Sequence, residues 1–503
     1  MTNKLINTAV GTIIAGTAFS TTSVYGKDTS HPNILMLIVD DWGAYDLSLT
    51  GSKLYETKNI DLLAQESAVF TQGYAAYPRS VPSRYSLITG RHCARSQTGA
   101  KTDDRKVNAD SYCMAIPFKQ AGYQTFIIGK WHVSDGDTMP EDKGFDINIG
   151  AGKAGSTNSH FAPFNKRISS NPDKQIHGMD DALPGEYLTD YMSRKTVEYL
   201  KKASTSDKPF LAVCSFYAVH TPIEAKEEMT ERYRSKIKRL ELGLDPMKEE
   251  EAGVAKTQQD NPKYAAMIES VDEGVGKMLQ VLKETEEYDN TIIVLVSDHG
   301  GLSNRGQKHK RELATSNLPL KAGKGHLYEG GIRIPYMIRL PKQKRRLNIE
   351  TPVVNYDLLP TLADLCNVPV SPNAEIDGIS LKPLLMNTNE HIHERDLFWH
   401  KASQRPSSTG DYVATAIRSG RYKLIDFYMQ NRIELYDIQK DPGETCNLVS
   451  QKPALTKELM LKIKEWRKQT GVTMANPERM NHGNNKSKNN KKTDKRQKEK
   501  SKK

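Results

Sequence analysis

The chain has 503 residues, 37% of them hydrophobic, and a formal net charge of +11. Such a length exceeds one ordinary core and suits a large domain with a smaller companion, and the composition is that of a soluble globular protein. The charge is no argument for specific nucleic-acid binding: residues 486–503 hold ten Lys/Arg and two Asp/Glu, which leaves about +3 for the rest.

Residues 1–26 read as an export signal. Lys4 supplies a positive start, Leu5 to Phe19 is an apolar stretch with several Thr, and small and polar residues follow to Gly26. The stretch is too short for a transmembrane anchor, and no Cys precedes Cys93 to carry a lipid. The protein is therefore expected to be exported, to the periplasm or beyond. The five cysteines (Cys93, Cys113, Cys214, Cys366 and Cys446) are scattered and have no C-x-x-C spacing. They suggest neither a zinc knuckle nor a disulfide framework; one bridge is allowed, and most should be buried.

Asn33–Val39 is the first of three aliphatic runs with the character of strands buried on both faces, and Asp40-Asp41 follows it. Asn59–Ser67 has a helical pattern. Ser80-Val81-Pro82-Ser83-Arg84 then opens a helix that continues to Leu87-Ile88-Thr89-Gly90, since Pro is tolerated in a first turn. A helix mouth presents backbone donors to an anion, and Arg84 adds a cation one turn in. Ser80 is expected at the exposed mouth of that helix. Alone, the motif reads equally well as a capped helix without chemistry.

Gly122–Thr125 leads to Gly129-Lys130-Trp131-His132. On an extended segment Lys130 and His132 would share a face, bringing a cation and an imidazole together. Phe210–Tyr217 is the second buried run, ending near His220-Thr221-Pro222. The charged stretch 226–262 is expected to be an exposed helical insertion, followed by a helix over Tyr264–Glu284. Thr291–Val296 is the third run, ending at Asp298-His299. Lys324 sits between two glycines at the start of a segment that runs to Pro335, and Lys342–Arg346 is a basic loop. Near residue 385 the pattern changes. Asp411–Phe427 and Arg432–Tyr436 read as antiparallel strands with a Ser-Gly turn, and Ala454–Gln469 as an amphipathic helix. The tail 479–503 is basic and lacks the apolar residues a core would need.

Strands alternating with helices predict an α/β fold: a large, mostly parallel sheet flanked by helices, with a smaller C-terminal α+β subdomain containing an antiparallel sheet. The expected division is 30–385 for the large domain and 386–478 for the small one. In such sheets the site lies beyond the carboxyl ends of the strands. Asp40, Asp41, Asp298 and His299 would then share one rim. Adjacent carboxylates at strand ends are costly without a cation, and oxygen ligands favour hard Ca²⁺ or Mg²⁺, with His299 as a softer member.

The order and content of these motifs, from Asn33 to Leu448, resemble the type I sulfatases of the alkaline-phosphatase superfamily. The resemblance includes Leu435-Tyr436-Asp437 and Asp441-Pro442-Gly443-Glu444. It implies that Ser80 is oxidised to formylglycine (3-oxoalanine), whose hydrate is the nucleophile. Ser rather than Cys at this position resembles the bacterial class matured by an anaerobic sulfatase-maturating enzyme. Arg79 stands where a small residue is more usual. The resemblance further implies one Ca²⁺ held by Asp40, Asp41, Asp298, His299 and residue 80. Arg84 and Lys130 would stabilise the diol and the anionic oxygens. His132 would remove a proton, and His220 and Lys324 would hold sulfate and help protonate the leaving alcohol.

The expected activity is hydrolysis of sulfate esters, on sulfated polysaccharide or another sulfated glycan. Two alternatives compete with it. One is a phosphodiesterase or phosphonate hydrolase of the same superfamily; the other is a sulfated-glycan binding protein without turnover. Candidate specificity positions are Lys153–Lys166, His177, His326 and the pair Trp399-His400.

Overall fold

The computed structural model describes residues 31–475, apart from 96–105, 166–174, 244, 251–252, 308, 388–391 and 393. The expected export segment 1–26 and basic tail 479–503 lie outside the described residues. Eight strands form the main sheet, in the order Leu347–Ile349, Ala68–Phe70, Tyr336–Arg339, Thr291–Ser297, Asn33–Val39, Phe210–Ser215, Gln124–Gly129 and Ile147–Ile149. Only Tyr336–Arg339 runs against the others. The sheet is thus mostly parallel, and the three aliphatic runs are adjacent at its centre.

Every residue of Asn33–Val39 is buried, because helices cover both faces. Leu35, Leu37 and Val39 enter a core with side chains of Lys58–Gln65, Leu188–Ser204 and Pro262–Glu284. Ile34, Met36 and Ile38 enter a second core with Ser80–Thr89, Ala115–Gln120 and Leu358–Leu365. The period-two alternation of a strand divides the run between the two layers. Pro262–Glu284 begins where the Asn261 side chain accepts hydrogen bonds from the Lys263 and Tyr264 amides, each at 3.1 Å, with Pro262 at the first helical position.

Leu397–Lys401, Ala414–Ser419, Tyr422–Phe427 and Arg432–Asp437 form an antiparallel sheet. Trp399, Ala416, Ile425 and Tyr436 pack toward Tyr74 and Ala76 of the larger layer. Ile417, Leu424 and Leu435 face Leu459 and Ile463 of the helix Pro453–Thr470. The antiparallel strands and the amphipathic helix expected there are therefore present.

One local expectation changes. The segment 226–262 is not wholly helical: after the helix Glu227–Arg239 it forms a hairpin, Met247–Glu250 with Gly253–Lys256, that pairs with Asn304–Arg305. The β structure arises from pairing with a distant segment, which the local charge pattern does not encode. All five cysteines are free thiols, four of them buried. No helix among the described residues is long and apolar enough to cross a membrane.

Candidate functional site

The central strands deliver their following residues to one rim. Asp40 and Asp41 follow Asn33–Val39, and Asp298 and His299 follow Thr291–Ser297. Their ligand atoms lie within 4.8 Å of one another, and all four residues are buried. The Asp41 amide donates to Asp298 Oδ1 at 3.1 Å, and Asp41 itself has φ +59°. His299 Nδ1 donates to the Gly300 carbonyl at 3.0 Å, so Nε2 carries the lone pair. That nitrogen faces Asp41 Oδ1 and Ser80 Oγ, each at 3.1 Å. Two lone pairs this close repel unless a cation lies between them. Three carboxylates and an imidazole, oxygen-rich and desolvated, fit a hard divalent cation.

Electrostatics support this fit. Burial, followed by the Asp298 charge, pushes the Asp40 carboxyl well above the usual range. Burial also opposes ionisation of Asp41, but the Lys324 ammonium on both its oxygens outweighs it and holds that carboxyl low. Asp298 is likewise held low against burial, with the Arg84 guanidinium paired to it. Burial lowers His299 below the ordinary imidazole value, keeping its lone pair free.

Ser80 is the first residue of the helix Ser80–Thr89. Its hydroxyl donates to Asp40 Oδ1 at 3.2 Å. It is not at an exposed mouth: only 6% of Ser80 is accessible, because the carboxylate rim closes over it. Arg84, one turn on, is buried and donates Nε to Asp298 Oδ2 at 2.9 Å. Its Nη1 reaches Ser215 Oγ at 2.8 Å and the Lys130 carbonyl at 3.2 Å. Its Nη2 has no hydrogen-bond partner and lies 3.7 Å from Asp40 Oδ1. Lys130 Nζ donates to Asp40 Oδ2. Lys324 Nζ donates to both oxygens of Asp41 at 2.6 Å.

His132 and Lys130 do not meet through a shared strand face. The strand ends at Gly129, and His132 has φ +62°. Gly155 packs against the imidazole so closely that a Cβ there would lie 2.2 Å from His132 Nε2. His132 Nδ1 is buried without a hydrogen-bond partner. Burial, then the charges of Lys130 and Arg84, keep this imidazole well below its ordinary pKa. His220 Nδ1 donates to the Thr221 carbonyl at 2.7 Å, and its Nε2 lies 3.8 Å from Asp41 Oδ2. Burial and Lys324 lower it too. Its side chain is 16% exposed and that of Lys324 9%, against 0% for Lys130. The accessible edge of the site therefore lies on the His220 and Lys324 side.

The specificity candidates fare unevenly. Trp399 and His400 are not rim residues: both are fully buried in Leu397–Lys401, where the Trp399 indole donates to the Ala75 carbonyl at 2.8 Å. The strand pattern of 397–401 turns them into core. His326 is half-buried and donates to the Thr409 carbonyl at 2.8 Å, while His177 is exposed. The loop from Lys153 is described as far as Asn165 and holds Gly155 against His132.

Sequence reasoning left several contributors unassigned. Ser83 Oγ donates to the Asp298 carbonyl at 2.5 Å and accepts from Asn355 Nδ2 at 2.9 Å. Ser83 was visible within the Ser80 motif, whereas Ser215 and Asn355 carry no local signal. Arg79 is paired with Asp411, which Lys401 also contacts.

Comparison with known proteins shows what the whole chain is similar to. The sulfatase family model matches residues 32–368, and a model described as N-sulphoglucosamine sulphohydrolase, C-terminal, matches residues 322–469. A sulfatase of Formosa agariphila is 28% identical over 87% of this chain and 88% of its own. An N-acetylglucosamine-6-O-sulfatase of Bacteroides thetaiotaomicron is 27% identical over 88% and 87%. The solved structure of Ps i-CgsB with k-i-k-neocarrahexaose is 28% identical, with a TM-score of 0.70 over 87% of this chain and 92% of that one. The phosphonate monoester hydrolase of Agrobacterium radiobacter shares the fold at 20% identity and a TM-score of 0.64.

Proposed function

Given that the chain belongs to the sulfatase family of the alkaline-phosphatase superfamily and is a sulfuric-ester hydrolase, we propose that it is an exported enzyme acting on sulfated carbohydrate, with Ser80 converted to formylglycine and one Ca²⁺ at the carboxylate rim. The observation that carries the site assignment is the convergence on Ser80: its Oγ lies 3.2 Å from Asp40 Oδ1 and 3.1 Å from His299 Nε2, with Arg84, Lys130 and Lys324 around the same carboxylates. A carbohydrate substrate is supported by the relatives, one named for N-acetylglucosamine-6-O-sulfate chemistry and one solved with neocarrahexaose.

Asp40, Asp41, Asp298 and His299 would hold the cation, which supplies Lewis-acid polarisation of a sulfate oxygen. A hydrated aldehyde at residue 80 would supply a nucleophilic oxygen and a second oxygen through which sulfate could be released, which a plain serine sulfate lacks. The protein's own residues do the rest. Arg84 is clamped by Asp298 and Ser215, and its free Nη2 is the donor available for charge that grows on the reacting oxygens. Lys130 and Lys324 hold positive charge at fixed positions and orient the sulfate group. His132, kept neutral by burial, accepts a proton at Nδ1. Lys324 Nζ, a proton-bearing group on the accessible side, is placed to help protonate the departing alcohol, with the His220 Nε2 lone pair beside it to orient that group. The division into a catalytic part, 30–385, and a companion, 386–478, belongs to the same reading, as does dependence on an anaerobic maturase.

The test is peptide mass spectrometry across residue 80 on protein produced with such a maturase, followed by matched sulfate, phosphate and phosphonate esters. A residue two hydrogens lighter than Ser, trapped by a carbonyl reagent, with turnover of the sulfate ester, is the expected result. Preference for the phosphonate would assign the site to the other hydrolases of this fold. Unmodified Ser80 beside a fully converted control would favour a glycan-binding role.

A further inference from the structure

The residue before the nucleophile is tied to the C-terminal sheet. Arg79 Nη2 donates to both oxygens of Asp411, at 2.7 and 2.8 Å. Lys401 Nζ and Thr409 Oγ1 donate to the same carboxylate. Lys401 Nζ also donates to the Gly325 carbonyl, and the Gly325 amide donates to the Pro78 carbonyl at 2.8 Å. Gly325 has φ +96°, and a Cβ there would lie 2.8 Å from Asp411 Oδ1. The carboxylate therefore sits directly against the backbone that follows Lys324. The side chains of Arg79, Asp411 and Lys401 are 7%, 1% and 0% exposed. One buried carboxylate thus serves two buried cations, an arrangement that tolerates little displacement.

From this geometry, and resting on the sulfatase reading of the site, we propose that Asp411 is a positioning residue for the reaction. It fixes Arg79, and through it the start of the Ser80 helix. Through Lys401 it fixes Gly325, and so the backbone that aims Lys324 at Asp41. The nucleophile and a sulfate-holding cation come from segments far apart in sequence, and Asp411 supplies the common anchor from a third. The C-terminal sheet then holds the site in register, and Arg79, unusual beside the nucleophile, is explained as the link. Asp411 acts through these neighbours and does not touch the reacting atoms.

Asp411→Asn tests this, because it removes the shared charge while leaving the sequence around residue 80, which must be converted, unchanged. Four readouts are compared with wild type: carbonyl labelling of residue 80, thermal unfolding, kcat and KM on a small aryl sulfate. The expected result is unchanged labelling, a cooperative unfolding transition, kcat lower by about 10- to 100-fold and KM changed by less than about threefold. Asp411→Glu, which keeps the charge, should recover part of kcat. A folded, fully labelled Asp411→Asn protein with wild-type kcat overturns the proposal. If that variant does not fold, Lys401→Met decides, since it keeps the Arg79–Asp411 pair while removing the Lys401 contacts to Asp411 and to the Gly325 carbonyl. A kcat loss there supports the anchor and a wild-type kcat overturns it. Failure of the sulfatase reading looks different: labelled wild-type protein would itself leave sulfate esters uncleaved.

Discussion

Arg84→Lys separates charge from geometry at the site. The guanidinium makes three contacts at 2.9, 2.8 and 3.2 Å, to Asp298, Ser215 and the Lys130 carbonyl, and keeps one unpaired donor, Nη2. A lysine ammonium can preserve the ion pair with Asp298 but cannot span the fork. Loss of the two remaining hydrogen bonds should cost about 1–3 kcal/mol of stability. Loss of the donor aimed at developing charge should cost about 10²- to 10³-fold in kcat, equivalent to roughly 3–4 kcal/mol. Activity should therefore fall further than stability does. Steady-state kinetics on an aryl sulfate, with thermal unfolding and carbonyl labelling on the same preparation, would measure both. A folded, labelled Arg84→Lys enzyme with kcat within about threefold of wild type refutes the role given to Nη2.

Ser80→Ala should abolish turnover while shifting the unfolding temperature by no more than about 2 °C, since only two hydroxyl contacts are lost; retained turnover contradicts the nucleophile assignment. Chelation should lower the unfolding temperature and added Ca²⁺ restore it, by about 2.7 kcal/mol at a hundredfold excess over Kd. Asp298→Asn should erase that calcium-dependent shift in calorimetry, and an unchanged transition under chelation argues against the metal. Buried His160 and His400 each titrate near about 4, pushed down by burial. Below the ordinary imidazole value of 6.5 the unfolded chain binds protons that the folded chain refuses. Stability is therefore full above that value and falls as the pH drops toward 4, by roughly 1–3 kcal/mol per histidine. Thermal melts between pH 7 and 4 check this, and a flat profile contradicts it.

Much of the fold was legible because its signals are local. Asn33–Val39, Phe210–Ser215 and Thr291–Ser297 are aliphatic along their length because each is buried on both faces. The carboxylates after two of those strands, and the Ser-x-Pro-Ser-Arg segment, revealed the chemistry by residue type and order. Tertiary structure decided what depends on strand order. It placed Thr291–Ser297, Asn33–Val39 and Phe210–Ser215 side by side, so Lys324 reaches Asp41 across 283 residues. It closed the carboxylates over Ser80, buried Trp399 and His400, and folded part of 226–262 into a hairpin. It also set Asp411 against Arg79, a pairing across 332 residues. Periodicity reports which face of an element is buried, but the partner that buries it is chosen by the packing of the whole chain.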